Sequence, residues 1–305
     1  MTEPKSNMPA SVRQRLKNVS ASQSVPFQEI LQRYAIERFL IRLTQSDHAD
    51  KFVLKGAQML VAWGSPRTRP TMDIDLLGYT DNDLANLQAI GRAVCSAPEP
   101  ESDGLTFDAD TVKAIRIKED ADYEGVRVTF TARLGNARIP MQIDVGFNDI
   151  VTPAPEPVAY PSLLGMHEPQ LRGYNRDTLI AEKVEAMIKL GEINSRMKDF
   201  FDIWALSRSF PFELQSLAAA IDATCRQRGT AVAGLPAILH RDSPAAADKQ
   251  TQWSAFLRKN RIEHTPDDFA EIAAAIANFL GMPIAAVTDA TSAPVTTWTP
   301  PGPWR

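Results

Sequence analysis

The sequence predicts an α+β protein, with a mixed sheet and helices in its first half and a helical C-terminal domain. Three observations predict it. Short strand-like and helix-like segments alternate before residue 96. Apolar and polar residues alternate between Leu105 and Val151, as they do in a meander of strands. After a proline-rich stretch, apolar residues recur at helical spacing as far as residue 286.

The elements of the first half follow from local patterns. A helix is predicted from Pro26, which suits a helix start, and its apolar stripe includes Tyr34 and Phe39. "KFVLKG" predicts a strand that ends in a glycine, and "AQMLVAWG" predicts a helix closed by Gly64. "DIDLLG" predicts the next strand, and "DLANLQAIGRAVCSA" a helix that residues 81–83 can cap.

Three longer strands and a proline-rich boundary complete the first half. The strands are "TVKAIRIKED", "GVRVTFTARL" and "ARIPMQIDVGF". "TPAPEPVAYPSLLG" holds too many prolines for a helix or a central strand, so it marks a domain boundary. We therefore predict a polar N-terminal extension (1–26), which could form a short docked helix, a first domain (27–160) and a helical domain (161–286). The Pro/Thr-rich tail (287–305) is predicted to be disordered or loosely docked.

Composition excludes several classes of protein. The 305 residues are 44% hydrophobic and 23% charged, enough for one large or two modest cores. A net charge of -4 argues against attraction of the whole protein to nucleic acid, but it allows a local basic patch. Cys95 and Cys225 have no metal-ligand spacing and are expected to be reduced. Because we find neither a signal peptide nor an apolar window long enough for a membrane span, we expect a cytoplasmic protein.

Two carboxylates separated by one residue are the first chemical signal. Asp73 and Asp75 lie at i and i+2 of a predicted strand, so their side chains project from the same face. Neighbouring carboxylates repel unless a cation lies between them, and oxygen ligands suit Mg²⁺ or Mn²⁺. An isolated Asp-x-Asp is also common at the solvated start of a strand.

A third carboxylate and a glycine turn favour the metal interpretation. Asp144 lies in mid-strand between Ile143 and Val145, where a charge is unfavourable without a partner. If its strand neighbours that of Asp75, three carboxylates converge, as in sites where two metal ions hold a nucleoside triphosphate. Lys55 and Gly56 end the preceding strand, and glycine lets backbone approach a phosphate, although a simple turn is the plainer alternative.

Together these motifs resemble the AbiEii-type nucleotidyltransferase-like toxins, which include the MenT-like toxins. The first family signature, a Lys-Gly-Gly turn followed by Arg-x-Ser/Thr-x-Asp-hydrophobic-Asp, is matched here by Lys55-Gly56-Ala57 and Arg69-Pro70-Thr71-Met72-Asp73-Ile74-Asp75. Ala57 departs from it, because the family usually has Gly or Ser there. The later motifs, a helical lysine and an Arg/Lys-Asp-x-x-Asp segment, are matched by Lys183 and Lys198-Asp199-Phe200-Phe201-Asp202. The resemblance covers about residues 27–210.

The resemblance implies a polymerase beta-like nucleotidyltransferase fold for residues 27–160 and a metal-dependent transfer of nucleotides from an NTP. The implied cofactor is Mg²⁺ or Mn²⁺. The implied acceptor is RNA, in several members the 3′ end of tRNA, so that translation is blocked, and a cognate antitoxin is the implied partner. The implied residues are catalytic Asp73, Asp75, Asp144, Lys183 and Asp199, nucleotide-binding Lys55, Gly56, Ala57, Arg69, Thr71 and Asp202, and metal-binding Asp73, Asp75 and Asp144.

Other interpretations stay open at this stage. Lys183 could be an exposed helical lysine paired with Glu182 or Glu185, Lys189 competes for its role, and Asp199 and Asp202 could be helix caps. The acceptor could be a protein hydroxyl or a small molecule, or the chain could be a non-catalytic binding protein on the same scaffold. Solvated loop charges or phosphate contacts are the two alternatives for Arg67, Arg69, Arg172, Arg176, Arg196 and Lys198.

Overall fold

The chain folds into two compact units. A computed structural model describes residues 7–98, 101–120, 123–240, 246–289 and 296–305, so parts of the predicted extension and tail (1–6 and 290–295) lie outside the described residues. Unit 1 comprises Met1–Gly64, Pro70–Asn148 and Pro157–Gly173, and unit 2 comprises Ser65–Arg69, Asp149–Glu156 and Tyr174–Arg305. The predicted class, a mixed sheet with helices followed by C-terminal helices, is confirmed.

The helices of unit 1 begin at residues that can cap them. Asn7 accepts a hydrogen bond from the amide of Ala10, and Asp83 accepts from the amides of two residues in the first turn of its helix. Val12 and Leu16 are fully buried, so the N-terminal segment forms the docked helix that its spacing allowed. In the described part of unit 1 the α-helices are α1 (Met8–Gln23), α2 (Phe27–Thr44), α3 (Gln58–Ala62) and α4 (Leu84–Cys95).

A seven-stranded mixed sheet forms the other layer of unit 1, in the order β3-β4-β5-β2-β1-β7-β6. β2 runs parallel to β5, and β1 runs parallel to β7. β6 lies at an edge, where its proline is tolerated. The strands are β1 (Phe52–Lys55), β2 (Ile74–Gly78), β3 (Leu105–Asp120), β4 (Tyr123–Leu134), β5 (Ala137–Phe147), β6 (Glu156–Ala159) and β7 (Gln170–Gly173).

The central strands separate a buried face from a polar face. On β4, Val128 and Phe130 are buried and belong to the core that α2 and α4 cover. On β5, Ile143 and Val145 belong to the same core. The residues between them project to the opposite face, because side chains alternate along a strand. This opposite face, which we call the polar face, carries Asp144 and the other charged residues of β4 and β5.

Helices form most of unit 2, as predicted. Phe200 and Phe201 are buried among aromatic rings, including Phe269 at 5.1 Å and Phe256 at 6.0 Å between centroids, so they pack in the core. The elements are α5 (Arg176–Leu190), α6 (Met197–Ser209), β8 (Phe212–Glu213), α7 (Leu214–Gln227), α8 (Ala246–Asn260), α9 (Phe269–Asp289) and β9 (Thr297–Trp298).

The end of the chain is packed, which corrects the prediction of a loosely docked tail. β9 pairs with β8 through Trp298 and Phe212. Trp298 is 1% exposed and donates its indole N–H to the carbonyl of Ser207 at 2.7 Å, and Trp304 stacks on Phe279. Two tryptophans bury enough apolar area to fix a segment that lacks any periodic pattern.

The prediction that no segment is long and apolar enough to cross a membrane is wrong for α9. Its 21 residues pass that test by length and composition. The helix nevertheless buries Phe269, Ile276 and Leu280 in unit 2, packed against α6 and α7. Its high apolar content fits a core helix, because the larger apolar side chains are buried and alanines occupy many of the other positions.

Candidate active site

Four charged residues form one row across four strands of the polar face. Asp75 on β2 is the direct partner of Asp144 on β5 and of Lys55 on β1. Asp144 is in turn the direct partner of Arg127 on β4. Because paired residues of neighbouring strands project to the same face, the charges follow the order cation, anion, anion, cation from Arg127 to Lys55. We call these four residues the acid row. The prediction that the strands of Asp75 and Asp144 are neighbours is confirmed.

Arg127 holds the carboxylate of Asp144 with both ends of its guanidinium. Nε donates to Oδ1 and Nη2 to Oδ2, each at 2.8 Å, and Gln142 donates to Oδ2 at 3.3 Å. The hydrogen bond to Asp144 raises the pKa of Arg127 against the opposing effect of burial, and Asp73 and Asp75 add to the rise. One guanidinium therefore experiences the charge of all three carboxylates.

Gly56 makes room for the carboxylate of Asp75. A Cβ at residue 56 would lie 2.0 Å from Oδ2 of Asp75, far inside contact distance. Gly56 also has a φ of +68°, which favours glycine. The glycine after β1 therefore sets the position of Asp75.

Gly56→Ala is expected to displace the Asp75 carboxylate and to lower any reaction at this row by about 100-fold, since an error of about 1 Å can cost that much. Gly64→Ala is a matched control, because Gly64 has a φ of +61° and an added Cβ would meet nothing within 4 Å. Both variants carry the backbone strain of about 1–2 kcal/mol, and Gly56→Ala should melt at a lower temperature than the control because its Cβ also displaces Asp75. Equal activity of the two variants would contradict the role of Gly56.

Two buried glutamines fix the backbone that leads into Asp73. Gln58 donates to the carbonyl of Asp73 at 2.9 Å and accepts from the hydroxyl of Tyr160 at 2.7 Å. Gln32 donates to the carbonyls of Met72 at 3.2 Å and Pro140 at 3.0 Å, and so joins this backbone to the start of β5. Both amides are 1% exposed, which makes them positioning residues rather than ligands for a substrate.

A separate buried cluster in unit 2 contains Lys183. Its ammonium lies 2.9 Å from Asp199 and 2.8 Å from Asp202. Arg69 holds the other side of Asp202 with two hydrogen bonds of 2.9 and 3.0 Å. Arg196 lies 2.6 Å from Asp199. The cluster is therefore a chain of five alternating charges with one more cation than anions.

Mutual attraction keeps this cluster ionised. Burial by itself would raise the pKa of Asp202, but Arg69 and Lys183 outweigh it and lower the pKa to about 2. Burial would likewise raise the pKa of Asp199, and Lys183 and Arg196 lower it. Burial would lower the pKa of Lys183, and the two aspartates hold it above its usual value.

Comparison with known proteins bears on this arrangement. The family model described as "Nucleotidyl transferase AbiEii toxin, Type IV TA system" matches residues 38–275. The chain belongs to the AbiEii nucleotidyltransferase toxin family. No curated protein matches it.

Several solved structures resemble this AbiEii family member at low sequence identity. MenT4, a nucleotidyltransferase toxin from Mycobacterium tuberculosis H37Rv, is 15% identical with a TM-score of 0.44, over 69% of this chain and 68% of MenT4. A nucleotidyltransferase from H. pylori, described as putative, is 12% identical with a TM-score of 0.47, over 86% and 98% of the two chains. JHP933 from Helicobacter pylori is 11% identical with a TM-score of 0.45, over 83% and 92%.

The family motifs separate into two groups in this AbiEii protein. Lys55, Gly56, Asp73, Asp75 and Asp144 come together in unit 1. The second group, in unit 2, is Arg69, Lys183, Asp199 and Asp202. The catalytic and binding roles of both groups stay predictions.

Two of the open interpretations are wrong. Lys183 is 7% exposed and bridges two aspartates, so it is not a solvated helical lysine. Asp202 accepts from the side chains of Arg69 and Lys183 instead of capping its helix. Since Arg69 and Asp202 bind each other, direct nucleotide contacts by this pair would require their hydrogen bonds to open.

Most of the remaining candidates for phosphate contacts also have partners inside their own unit. Arg172 donates to the carbonyl of Asp50 at 2.6 Å. Arg67 lies over the ring of Trp204, and Arg176 over that of Phe210. Ala57 is buried at the N-cap of the short helix α3, whereas Thr71 is half-buried and Lys198 is exposed.

The carboxylates of the acid row are suitable ligands for a divalent cation, but their arrangement is not that of a complete metal site. Within the described residues, no group of three or more His, Cys, Asp or Glu has the geometry of a metal site. The reason is visible at Asp144, whose two oxygens both accept from Arg127. The register of Asp75 with Asp144 nevertheless places on one face the carboxylate oxygens that Mg²⁺ prefers.

Proposed function

We propose that this AbiEii toxin transfers nucleotides from an NTP to the 3′ end of tRNA and thereby blocks translation. The observation that carries the proposal is the pairing of Asp75 with Asp144 between Lys55 and Arg127. Two carboxylates in direct register on a polar sheet face have no role in packing, and their repulsion is costly unless cations balance it. Arg127 pairs with Asp144 and Lys55 lies beside Asp75, and a bound divalent cation would add the further positive charge that holds a triphosphate.

Each side chain of the row has a role in this proposal. Asp73, Asp75 and Asp144 would hold Mg²⁺ or Mn²⁺, which supplies charge neutralisation and orientation of the triphosphate when bound. Lys55 lies beside Asp75, and Gly56 leaves space in which backbone can approach a phosphate oxygen. Asp144 would accept the proton of the attacking hydroxyl.

The reaction itself is an in-line displacement. The 3′ hydroxyl oxygen of the acceptor forms a bond to the α-phosphorus, the bond from that phosphorus to the bridging oxygen breaks, and pyrophosphate leaves with the bonding electrons. We propose that Lys183, held by Asp199 and Asp202, neutralises charge that develops on the phosphates. Arg69 is four residues before Asp73 in the sequence, so one motif contributes to the group in unit 1 and to the group in unit 2.

The direct test is incubation of the purified protein with each labelled NTP, Mg²⁺ and total RNA. Label in the tRNA band on a denaturing gel is the expected result, and EDTA should abolish it. Label on protein would support the alternative of protein modification, and label on a small molecule would support the other enzymatic alternative. Absence of label with all four NTPs would favour a non-catalytic binding protein.

Removal of Arg127 tests cation binding without a turnover assay. Arg127→Met leaves Asp144 beside Asp75 without its counter-ion, so we expect a loss of about 1 kcal/mol and a fall in melting temperature of about 2–4 °C in EDTA. Millimolar Mg²⁺ should raise the melting temperature more in this variant than in the wild type, because Arg127 no longer competes for Asp144.

The control for this experiment is Arg116→Met, which removes an exposed arginine of β3. It should respond to Mg²⁺ as the wild type does. An equal Mg²⁺ response in Arg127→Met and the wild type would mean that Asp144 and Asp75 are not cation ligands. We also propose a cytoplasmic location, as the sequence predicts, and a cognate antitoxin as partner, as the toxin family implies.

A further inference from the structure

The polar face continues beyond the acid row along β4 and β5. Asp144 lies six positions after Arg138 on β5, a distance of about 20 Å along an extended strand. Between the acid row and the hairpin end, this stretch presents polar groups to solvent, and we call it the β4–β5 track. Its residues are Arg127, Thr129, Thr131 and Arg133 on β4 and Arg138, Pro140, Gln142 and Asp144 on β5.

An open groove of about 650 Å³ lies along this track. Its lining includes Asp73 and Gln142, which lie two residues before Asp75 and Asp144, and Arg138 towards the hairpin. Lys113 and Thr129 also line it, and Asp110 is an acidic member of the lining. The groove thus begins beside the acid row and extends towards the hairpin.

Two exposed apolar side chains flank the acid row. Met72, which immediately precedes Asp73, is 44% exposed. Ile115 is 54% exposed and is the direct partner of Arg127, so it extends the row on β3. Exposed apolar side chains beside a polar groove offer surfaces on which the bases of a ligand can stack.

At the hairpin end, two arginines face each other. Arg133 and Arg138 are direct partners on β4 and β5, so both guanidinium groups project to the polar face. Like charges placed directly opposite each other destabilise a sheet. Among the described residues, neither arginine has a hydrogen bond or an ion pair to a carboxylate. An anion between them would remove the repulsion and accept hydrogen bonds from both.

We propose that the β4–β5 track binds the single-stranded 3′ end of the acceptor polynucleotide, with a backbone phosphate between Arg133 and Arg138 and the terminal hydroxyl at Asp144. This inference rests on the proposed function and identifies the surface that receives the acceptor. The threonine hydroxyls and Gln142 would bind sugars and phosphates, which fix position rather than sequence. Met72 and Ile115 would contact the bases next to the reacting end.

The length of the track favours a polynucleotide over the smaller acceptors. A small molecule needs only the acid row, and a pair of guanidinium groups about 20 Å away would not touch it. Several nucleotides span that distance and carry a negative charge at each step. The whole chain has a net charge of -4, so attraction of an anion depends on local positive charge, which this pair of arginines supplies.

The test compares the double variant Arg133→Ala/Arg138→Ala with a control that removes the same charge elsewhere in unit 1, Arg13→Ala/Arg92→Ala, two exposed helical positions. The acceptors are single-stranded RNA oligonucleotides of increasing length and tRNA. For the track variant we expect KM for long acceptors to rise at least about ten-fold, with KM for the NTP unchanged. The slope of log affinity against log salt should fall by about 1, because one phosphate contact is lost.

Two further measurements separate a binding role from a structural one. Melting temperature should not fall in the track variant, because the substitution removes like-charge repulsion. Arg133→Lys/Arg138→Lys should restore most of the affinity, since lysine also binds phosphate as a point charge. Dependence of KM on acceptor length should disappear in the alanine variant and remain in the control.

The outcomes distinguish this inference from the proposed function. Transfer to RNA by the wild type, with the same acceptor KM in the track variant and the control, would overturn the inference and leave the function intact. Transfer only to a protein or a small molecule would overturn both. Transfer to RNA with a length-dependent KM that the alanine substitutions abolish supports the inference.

Discussion

Replacement of Asp75 by asparagine is expected to lower nucleotidyl transfer by at least about 100-fold while the protein stays folded. Asp75 lies between Asp144 and Lys55 in the acid row, where its charge opposes that of Asp144. Asparagine keeps the shape that fits beside Gly56 and removes the charge, so repulsion within the unliganded row falls. Binding of a cation and a triphosphate loses one of its central ligands.

The consequence in cells should be the loss of toxicity. Wild-type expression should arrest growth, because a catalyst with modest turnover can exhaust a tRNA pool larger than its own concentration. Asp75→Asn should not arrest growth at matched soluble expression. Asp47→Asn, at an exposed position of unit 1, controls for removal of a negative charge and should stay toxic. A normally folded Asp75→Asn protein that still arrests growth would separate toxicity from nucleotidyl transfer.

Much of the acid row could be predicted from the sequence because its signals are local. Side chains alternate between the two faces of a strand, which predicted that Asp73 and Asp75 share one face. A charge in the middle of an apolar strand identified Asp144 as a candidate. Arg127 was missed, although a signal for it exists. A two-residue turn at Gly135 and Asn136 pairs Leu134 with Ala137, and counting back along both strands brings Arg127 opposite Asp144.

Other parts of the site have no local signal. Gln32 reaches the carbonyl of Pro140 across 108 positions of sequence, and an isolated glutamine in a helix has no pattern that predicts such a contact. β7 is a strand of four residues, Gln170–Gly173, which is too short for an alternating pattern. The packed end of the chain depends on Trp298 and Trp304, whose anchoring could not be inferred from a proline-rich composition.

The burial of Lys183 was also hidden from the sequence, because the spacing of charges on α5 and α6 does not reveal which faces are covered. In the folded chain its side chain is 9% exposed and those of Asp199 and Asp202 are 0% exposed. Substitution of Lys183 is therefore not expected to be silent for stability, as it would be on a helix surface. A buried ammonium that bridges two carboxylates cannot be removed without leaving uncompensated charge.

Lys183→Met is accordingly expected to destabilise unit 2 by about 3–5 kcal/mol at neutral pH, the usual cost of breaking a buried pair by removing one partner. Methionine keeps the length and the apolar stem of lysine, so the loss reports charge rather than volume. Lys189→Met is the control, because Lys189 is an exposed lysine of the same helix and its loss should change stability by less than about 0.5 kcal/mol. Denaturant unfolding followed by circular dichroism measures both.

The pH dependence of that loss provides a second, independent result. The pKa of Asp202 is lowered to about 2 in the folded protein, whereas an unfolded aspartate titrates near about 3.9. The stabilisation is therefore fully present above about pH 4 and disappears as the pH falls towards 2. In Lys183→Met both aspartates lose a cation that they share, while Asp202 keeps Arg69, and they protonate more readily. The gap in stability between the variant and the wild type should therefore narrow as the pH falls from 5 to about 3. If the difference in stability stayed constant over this range, the variant would have lost packing rather than a charge interaction. Lys183 would then not stabilise the protein through its ion pairs with Asp199 and Asp202.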